Sequence, residues 1–157
     1  MLKLILVVIT SLAVSGNALA ETKQYKMHMM HQMSKVDTND INEMFRFSPE
    51  YLHIEVGDTV RFSGSTGQHT VTTVPGMLPD GAEKIEIHSI PSKDIAFPKP
   101  GIYGIKCRVH NRYGMVALIV VGDASVNLGA AKNFRLTRFG KKKMQQLLER
   151  AEAELKN

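Results

Sequence analysis

The chain has 157 residues, a formal net charge of +5, one cysteine and no tryptophan. So mild a charge excludes the dense basic stripe of a nucleic-acid binder and suits acidic protein partners instead. A lone cysteine excludes an internal disulfide framework, so the thiol of Cys107 needs another use.

The first twenty residues do not belong to the fold. Met1-Leu2-Lys3 is a short basic start, Leu4 to Val14 is almost wholly apolar, and Ala18-Leu19-Ala20 is a small-x-small cleavage pattern. Together they predict a secretory signal peptide over residues 1–20, cut before Glu21, and hence an exported protein. The apolar run falls short of the about 20 helical residues that span a bilayer. Residues 21–157 then form a single domain. Without Lys3 that domain carries 19 basic residues against 15 acidic ones.

Residues 24–123 read as β structure. In Met27-His28-Met29-Met30-His31-Gln32-Met33, Met27 and Met29 alternate with His28 as in an edge strand. Met and His clusters also suit Cu(I), which leaves open a second metal site and, with it, a copper-delivery or storage protein as an alternative function. Leu52, Ile54 and Val56 alternate with His53 and Glu55, and Gly57-Asp58 turns the chain into Thr59–Phe62. His69–Val74, Ile95–Phe97 and Gly101–Cys107 are further strands bounded by Pro and Gly. Met115–Val121 is a nearly continuous apolar run, which predicts a strand buried on both faces. Strands recurring between turns make a sandwich or barrel. Beyond Gly122-Asp123, segments 124–132 and 140–157 read as two C-terminal helices. The second carries a single apolar stripe of Met144, Leu147, Leu148, Ala151 and Leu155. Lys141, Lys142 and Lys143 are expected on a solvated face, and His53 and His88 on the surface.

The chemistry concentrates at Gly101–Val116. Cys107, His110 three residues on and Met115 eight residues on place a thiol, an imidazole and a thioether in one tight loop between two strands. His69 stands 38 residues upstream of Cys107 at the head of a strand. An ion cycling between Cu(I) and Cu(II) needs donors that both states accept: thiolate and thioether suit Cu(I), and imidazole suits either. Two histidines and one cysteine with a weak axial methionine make the arrangement of an electron-transfer copper site, with no open position for a substrate. The metal ligands expected are therefore His69, Cys107, His110 and Met115. Serine-triad, phosphate-loop and CxxC patterns are absent from the sequence, and an enzyme is not expected.

Pro49 with Val56-Gly57-Asp58-Thr59-Val60, the stretch Gly76-Met77-Leu78-Pro79-Asp80-Gly81-Ala82-Glu83, the strand Gly101-Ile102-Tyr103-Gly104-Ile105-Lys106-Cys107, Gly114-Met115-Val116, Val120-Val121-Gly122-Asp123 and Asn127-Leu128 together resemble the pseudoazurins, a group of cupredoxins or type 1 blue copper proteins. The resemblance runs from about Tyr25 to the C-terminus. It implies an all-β fold, a Greek-key β-sandwich with two C-terminal α-helices, binding one type 1 copper ion through the four residues named. It also implies a monomeric periplasmic one-electron carrier serving cytochromes c or a periplasmic reductase such as nitrite reductase. In that family the edge of the second loop histidine, here His110, reaches solvent as the electron port. Met77, Pro79 and Tyr113 would form its apolar rim, inside a ring of Lys106, Arg108 and Arg112.

Four departures from the family stand out. Thr70 stands in place of the usual Asn, losing the carboxamide that ties two loops together. Val109 stands in place of Pro, and its added N–H is expected to donate to the Cys107 sulfur. Asn111, Arg112 and Tyr113 replace the usual residues beside the second histidine, and the segment from Lys35 to Phe45 is longer than usual.

Overall fold

In the computed structural model, which describes residues 22–31, 44–64, 67–89 and 91–157, the strands fall into two sheets. The first has the order β2-β1-β4-β7, from β1 (Gln24–His31), β2 (Phe45–Ser48), β4 (Thr59–Ser63) and β7 (Ser92–Ala96). The second has the order β3-β9-β8-β5-β6, from β3 (Tyr51–Ile54), β5 (Thr70–Thr73), β6 (Glu86–His88), β8 (Gly101–Lys106) and β9 (Val116–Val121). The pairs β1–β4 and β3–β9 are parallel, while β8–β9 and the other pairs are antiparallel. This is the Greek-key sandwich expected. The predicted signal peptide lies outside the described residues, and no helix among those described is long and apolar enough to cross a membrane.

The apolar run of β9 has a simple cause. Its alternate residues Ala117, Ile119 and Val121 face the core between the sheets, packing with Met27, Met29, Phe47, Phe62 and Ile105. The intervening Val116, Leu118 and Val120 enter a second core with Met77, Ile102, Met144, Leu148 and Ala151. Each Val, Leu, Ile, Met or Phe among them contributes about 1.5–3 kcal/mol on full burial, so both faces of this strand hold the molecule together.

The second core exists because helices cover the outer face of the β8–β9 pair. The predicted first helix is reduced to a 3-10 turn, Ala124–Val126, and one helical turn, α1 (Leu128–Ala131). Asn127 divides them because its side chain is used elsewhere: it accepts from Ile102 N–H at 2.7 Å and donates to Ile102 C=O at 3.0 Å, acting as a strand partner for β8. The second helix, α2, spans Arg138–Glu154 and buries Gly140, Met144, Leu148 and Ala151. Leu155, assigned to that stripe from its spacing, lies beyond the helix and is 44% exposed.

Polar contacts fasten the far end of α2 to β3. Tyr51 O–H donates to Glu154 at 2.6 Å, His53 Nδ1 lies 3.1 Å from the same carboxylate, and the Arg150 guanidinium sits 3.8 Å above the Tyr51 ring. The hydrogen bond from Tyr51 holds the Glu154 carboxyl below the usual range, and burial pushes the Tyr51 phenol up. Lys143 corrects the expectation of a wholly solvated lysine run: it is largely buried and pairs with Glu50 at 2.7 Å.

Two strand expectations also change. β1 is not an edge strand, since β2 and β4 flank it; strand order is set by distant pairing, which local alternation does not encode. Met27 and Met29 point into the core, and exposed His28 lies 3.0 Å from Ser63 Oγ. The side chains of Met30 and His31, with Gln32 and Met33, lie outside the described residues, as does most of the long segment beginning at Lys35.

Helix α2 meets the sandwich at Gly140, where an added Cβ would collide with the carbonyl of Asn111. Gly140→Ala is expected to lower stability by about 1–3 kcal/mol through overpacking, more than the about 1 kcal/mol that alanine adds to a helix interior. Urea unfolding checks this as a lower transition midpoint.

Candidate metal centre

His69, Cys107 and His110 meet at one pole of the sandwich. One ligand atom from each lies within 4.8 Å of the others, and all three residues are buried. Cys107 Sγ is 3.6 Å from His110 Nδ1, and the two imidazole centroids are 4.9 Å apart. A first-row ion sits about 2.0–2.3 Å from imidazole nitrogen and thiolate sulfur, so donors this close leave room for one ion between them. The donor set is that of a soft, redox-active metal.

The backbone explains the convergence. Cys107 is the first residue after β8, and Met115 is the last before β9. Cys107 N–H donates to Met115 C=O at 3.1 Å, closing the loop at its base. Within it Asn111 N–H donates to Cys107 C=O at 3.0 Å, and the Asn111 carboxamide donates to Cys107 C=O at 2.9 Å and Arg108 C=O at 2.8 Å. Residues 111–113 form a 3-10 turn that ends at Gly114, whose φ of 96° is left-handed and favours glycine. The Met115 side chain is fully buried in the same core cluster as Cys107. His69 arrives from the other side, immediately before β5, which pairs with β8.

Thr70 does more than its sequence position suggested. Arg108 N–H donates to Thr70 Oγ1 at 2.9 Å, and the hydroxyl in turn lies 3.8 Å from Cys107 Sγ as a donor. The hydroxyl thus ties the two loops, the task that the missing carboxamide was expected to leave undone. The expected Val109 contact is different. Among the described residues, the hydrogen-bond partners of the Cys107 sulfur are the Thr70 hydroxyl, Gln68 C=O at 3.8 Å and His110 Nδ1; the Val109 N–H is not among them. The chain turns outward at Arg108-Val109, and Val109 is exposed.

The surroundings of His110 also differ from expectation. Its residue is only 8% exposed, and the ring of Phe45 lies on it with centroids 4.0 Å apart and planes 2° apart. Tyr113 stands 5.7 Å from Phe45, with the Arg112 guanidinium 4.7 Å over the Tyr113 ring. Met77 and Pro79 do not form a rim around this pole. Both are buried; Met77 belongs to the helix-covered core and fills the space above Gly104, while Pro79 packs against Gly101. The apolar groups that do surround it are Phe45, Tyr113 and Val109. Phe45 was missed from sequence. Its signal was the Phe45-Arg46-Phe47 alternation, which puts it on the core-facing side of β2 with Phe47, one step nearer the pole.

Charge within the loop has one sign. From Lys106 to Val116 the loop contains three cations and no acidic residue. Arg108 and Arg112 are exposed and Lys106 is half-buried.

Residues 32–122 match the family of copper binding proteins, plastocyanin/azurin family. The chain is 38% identical over 104 residues to the pseudoazurin of Methylorubrum extorquens, covering 66% of this chain and 70% of that one. It is 35% identical over 98 residues to the pseudoazurin of Paracoccus pantotrophus, covering 62% and 68%. Among solved structures, the pseudoazurin of Methylobacterium extorquens superposes with a TM-score of 0.69 at 31% identity, covering 81% of this chain and 98% of that one. That of Hyphomicrobium denitrificans gives 0.68 at 27% identity, covering 81% and 97%. The buried two-histidine, one-cysteine cluster fits a type 1 copper ion, and the chain belongs to the plastocyanin/azurin family of copper-binding proteins, on its pseudoazurin branch.

Proposed function

We propose that this protein is an exported, periplasmic, monomeric one-electron carrier, and not an enzyme, holding one type 1 copper ion through His69, Cys107, His110 and Met115. The observation that carries the reading is the convergence of three buried donors within 4.8 Å, in a pocket closed by strands and a hydrogen-bonded loop. Bound copper supplies a one-electron couple. The chain's own residues hold the donors in place, exclude water and leave no position for a substrate, which favours a carrier over a catalyst. Copper delivery or storage through the Met/His segment is less favoured, because Met27 and Met29 are committed to the core.

The oxidised, copper-loaded protein is expected to be intensely blue or green and to bleach on reduction. Cys107→Ser is expected to abolish the colour; a colourless wild type, or colour that survives the substitution, would contradict the reading.

Partner docking belongs at the His110 pole, where Phe45, Tyr113 and Val109 are ringed by Lys106, Arg108 and Arg112. Acidic faces of a cytochrome c or a nitrite reductase fit that pattern, and charge steering supports fast encounter and release. The bimolecular electron-transfer rate with an acidic partner is expected to fall as ionic strength rises, read by stopped-flow at increasing salt.

Thr70 tunes the same site. Because its oxygen already accepts from Arg108 N–H, its proton is available to the sulfur. A hydrogen bond to the thiolate stabilises the electron-rich reduced state. Thr70→Val is therefore expected to lower the reduction potential by on the order of 40 mV, the equivalent of about 1 kcal/mol in a one-electron couple, while Thr70→Ser retains it. Voltammetry of the three proteins checks this.

A further inference from the structure

We propose that Phe45 is a positioning residue of the copper site: its ring fixes the plane of the His110 imidazole and screens it from water, and so sets the potential and the absorption spectrum. This rests on the reading of His110 as a copper ligand.

The geometry is specific. The two rings are parallel within 2° at a centroid separation of 4.0 Å, whereas Phe45 and His69 are tilted by 55° with centroids 6.1 Å apart. Phe45 therefore addresses one of the two imidazoles. It is placed there by the sheet: Phe47 pairs with Met29 in β1 and is fully buried, and Phe45, two residues nearer the pole, pairs with His31. Side chains two apart on a strand share a face, so anchoring Phe47 in the core delivers Phe45 over the loop. Tyr113, 5.7 Å away, backs Phe45 from the loop itself. The ring belongs to β2 and the imidazole to the 107–115 loop, so the contact ties a sheet-one strand directly to the ligand loop.

Two consequences follow. A flat ring in contact with one imidazole face leaves that imidazole one low-energy orientation, and the orientation of a ligand ring governs its overlap with the metal. The cover also keeps His110 at 8% exposure. Water stabilises the more highly charged oxidised state, so an apolar cover disfavours it and raises the potential. Leucine is shorter and not planar, and covers less of the imidazole face; tyrosine keeps the ring.

The test compares wild type, Phe45→Leu and Phe45→Tyr. In the metal-free proteins, NMR of the His110 ring protons reads the stack directly: an upfield ring-current shift is expected in wild type and Phe45→Tyr and its loss in Phe45→Leu. In the copper-loaded proteins, Phe45→Leu is expected to lower the potential and change the intensity ratio of the charge-transfer bands, with Phe45→Tyr close to wild type on both. Absence of the upfield shift in wild type, or an unchanged potential and band ratio in Phe45→Leu, overturns the proposal. A wild type with no sulfur-to-copper band would instead overturn the copper assignment itself, while the metal-free NMR still judges the stack.

Discussion

One backbone hydrogen bond, from Cys107 N–H to Met115 C=O at 3.1 Å, sets the geometry on which the metal centre depends. It joins the end of β8 to the start of β9 at Cys107 and Met115, the two residues proposed as sulfur ligands. The strands below it are in antiparallel register from Lys106–Val116 to Gly101–Val121 and are packed on both faces. The loop above is therefore anchored on two strands that are buried along almost their whole length. Asn111 fixes its inside through three hydrogen bonds to the carbonyls of Cys107 and Arg108. A site held this way does not need to move when the charge of its metal changes, and low reorganisation is what electron exchange requires.

The C-terminal helix belongs to the same frame. By covering the outer face of β9, α2 turns that strand into interior structure, and at Gly140 it reaches the carbonyl of Asn111 inside the ligand loop. Its other end is fastened to β3 by the Tyr51, His53 and Glu154 cluster. The helix thus braces the loop from outside the sandwich, while Phe45 of β2 braces it from the opposite sheet.

Much of this was legible in the residues. The apolar run 115–121, the Cys107, His110 and Met115 spacing and the turn at Gly57-Asp58 each have a local cause, and the structure forms β9, the loop and the turn where these signals stand. In that turn Asp58 accepts from Glu55 N–H and Lys23 N–H, a task suited to its short carboxylate. What was not legible depends on distant partners. The interior position of β1 follows from its pairing with β4, and the burial of Met77 follows from a helix some seventy residues later in the chain. The three-residue strand β6 is too short to show periodicity and exists only through its pairing with β5. The Phe45 stack and the role of Thr70 arise between segments far apart in sequence. The first C-terminal helix was overestimated because composition does not reveal that Asn127 is engaged with Ile102.

Thr70 and Asn111, two of the departures read from the sequence, both act beside the His69, Cys107 and His110 cluster. Thr70 supplies a hydroxyl to the sulfur, Asn111 secures the loop carbonyls, and Phe45 with Tyr113 lays an aromatic surface over His110. The most direct measurement of the central claim is copper K-edge X-ray absorption on the loaded protein in both oxidation states. The account predicts an inner shell of one sulfur and two imidazole nitrogens that is nearly the same oxidised and reduced. A shell of nitrogen and oxygen alone, or one whose sulfur is lost on oxidation, would contradict it.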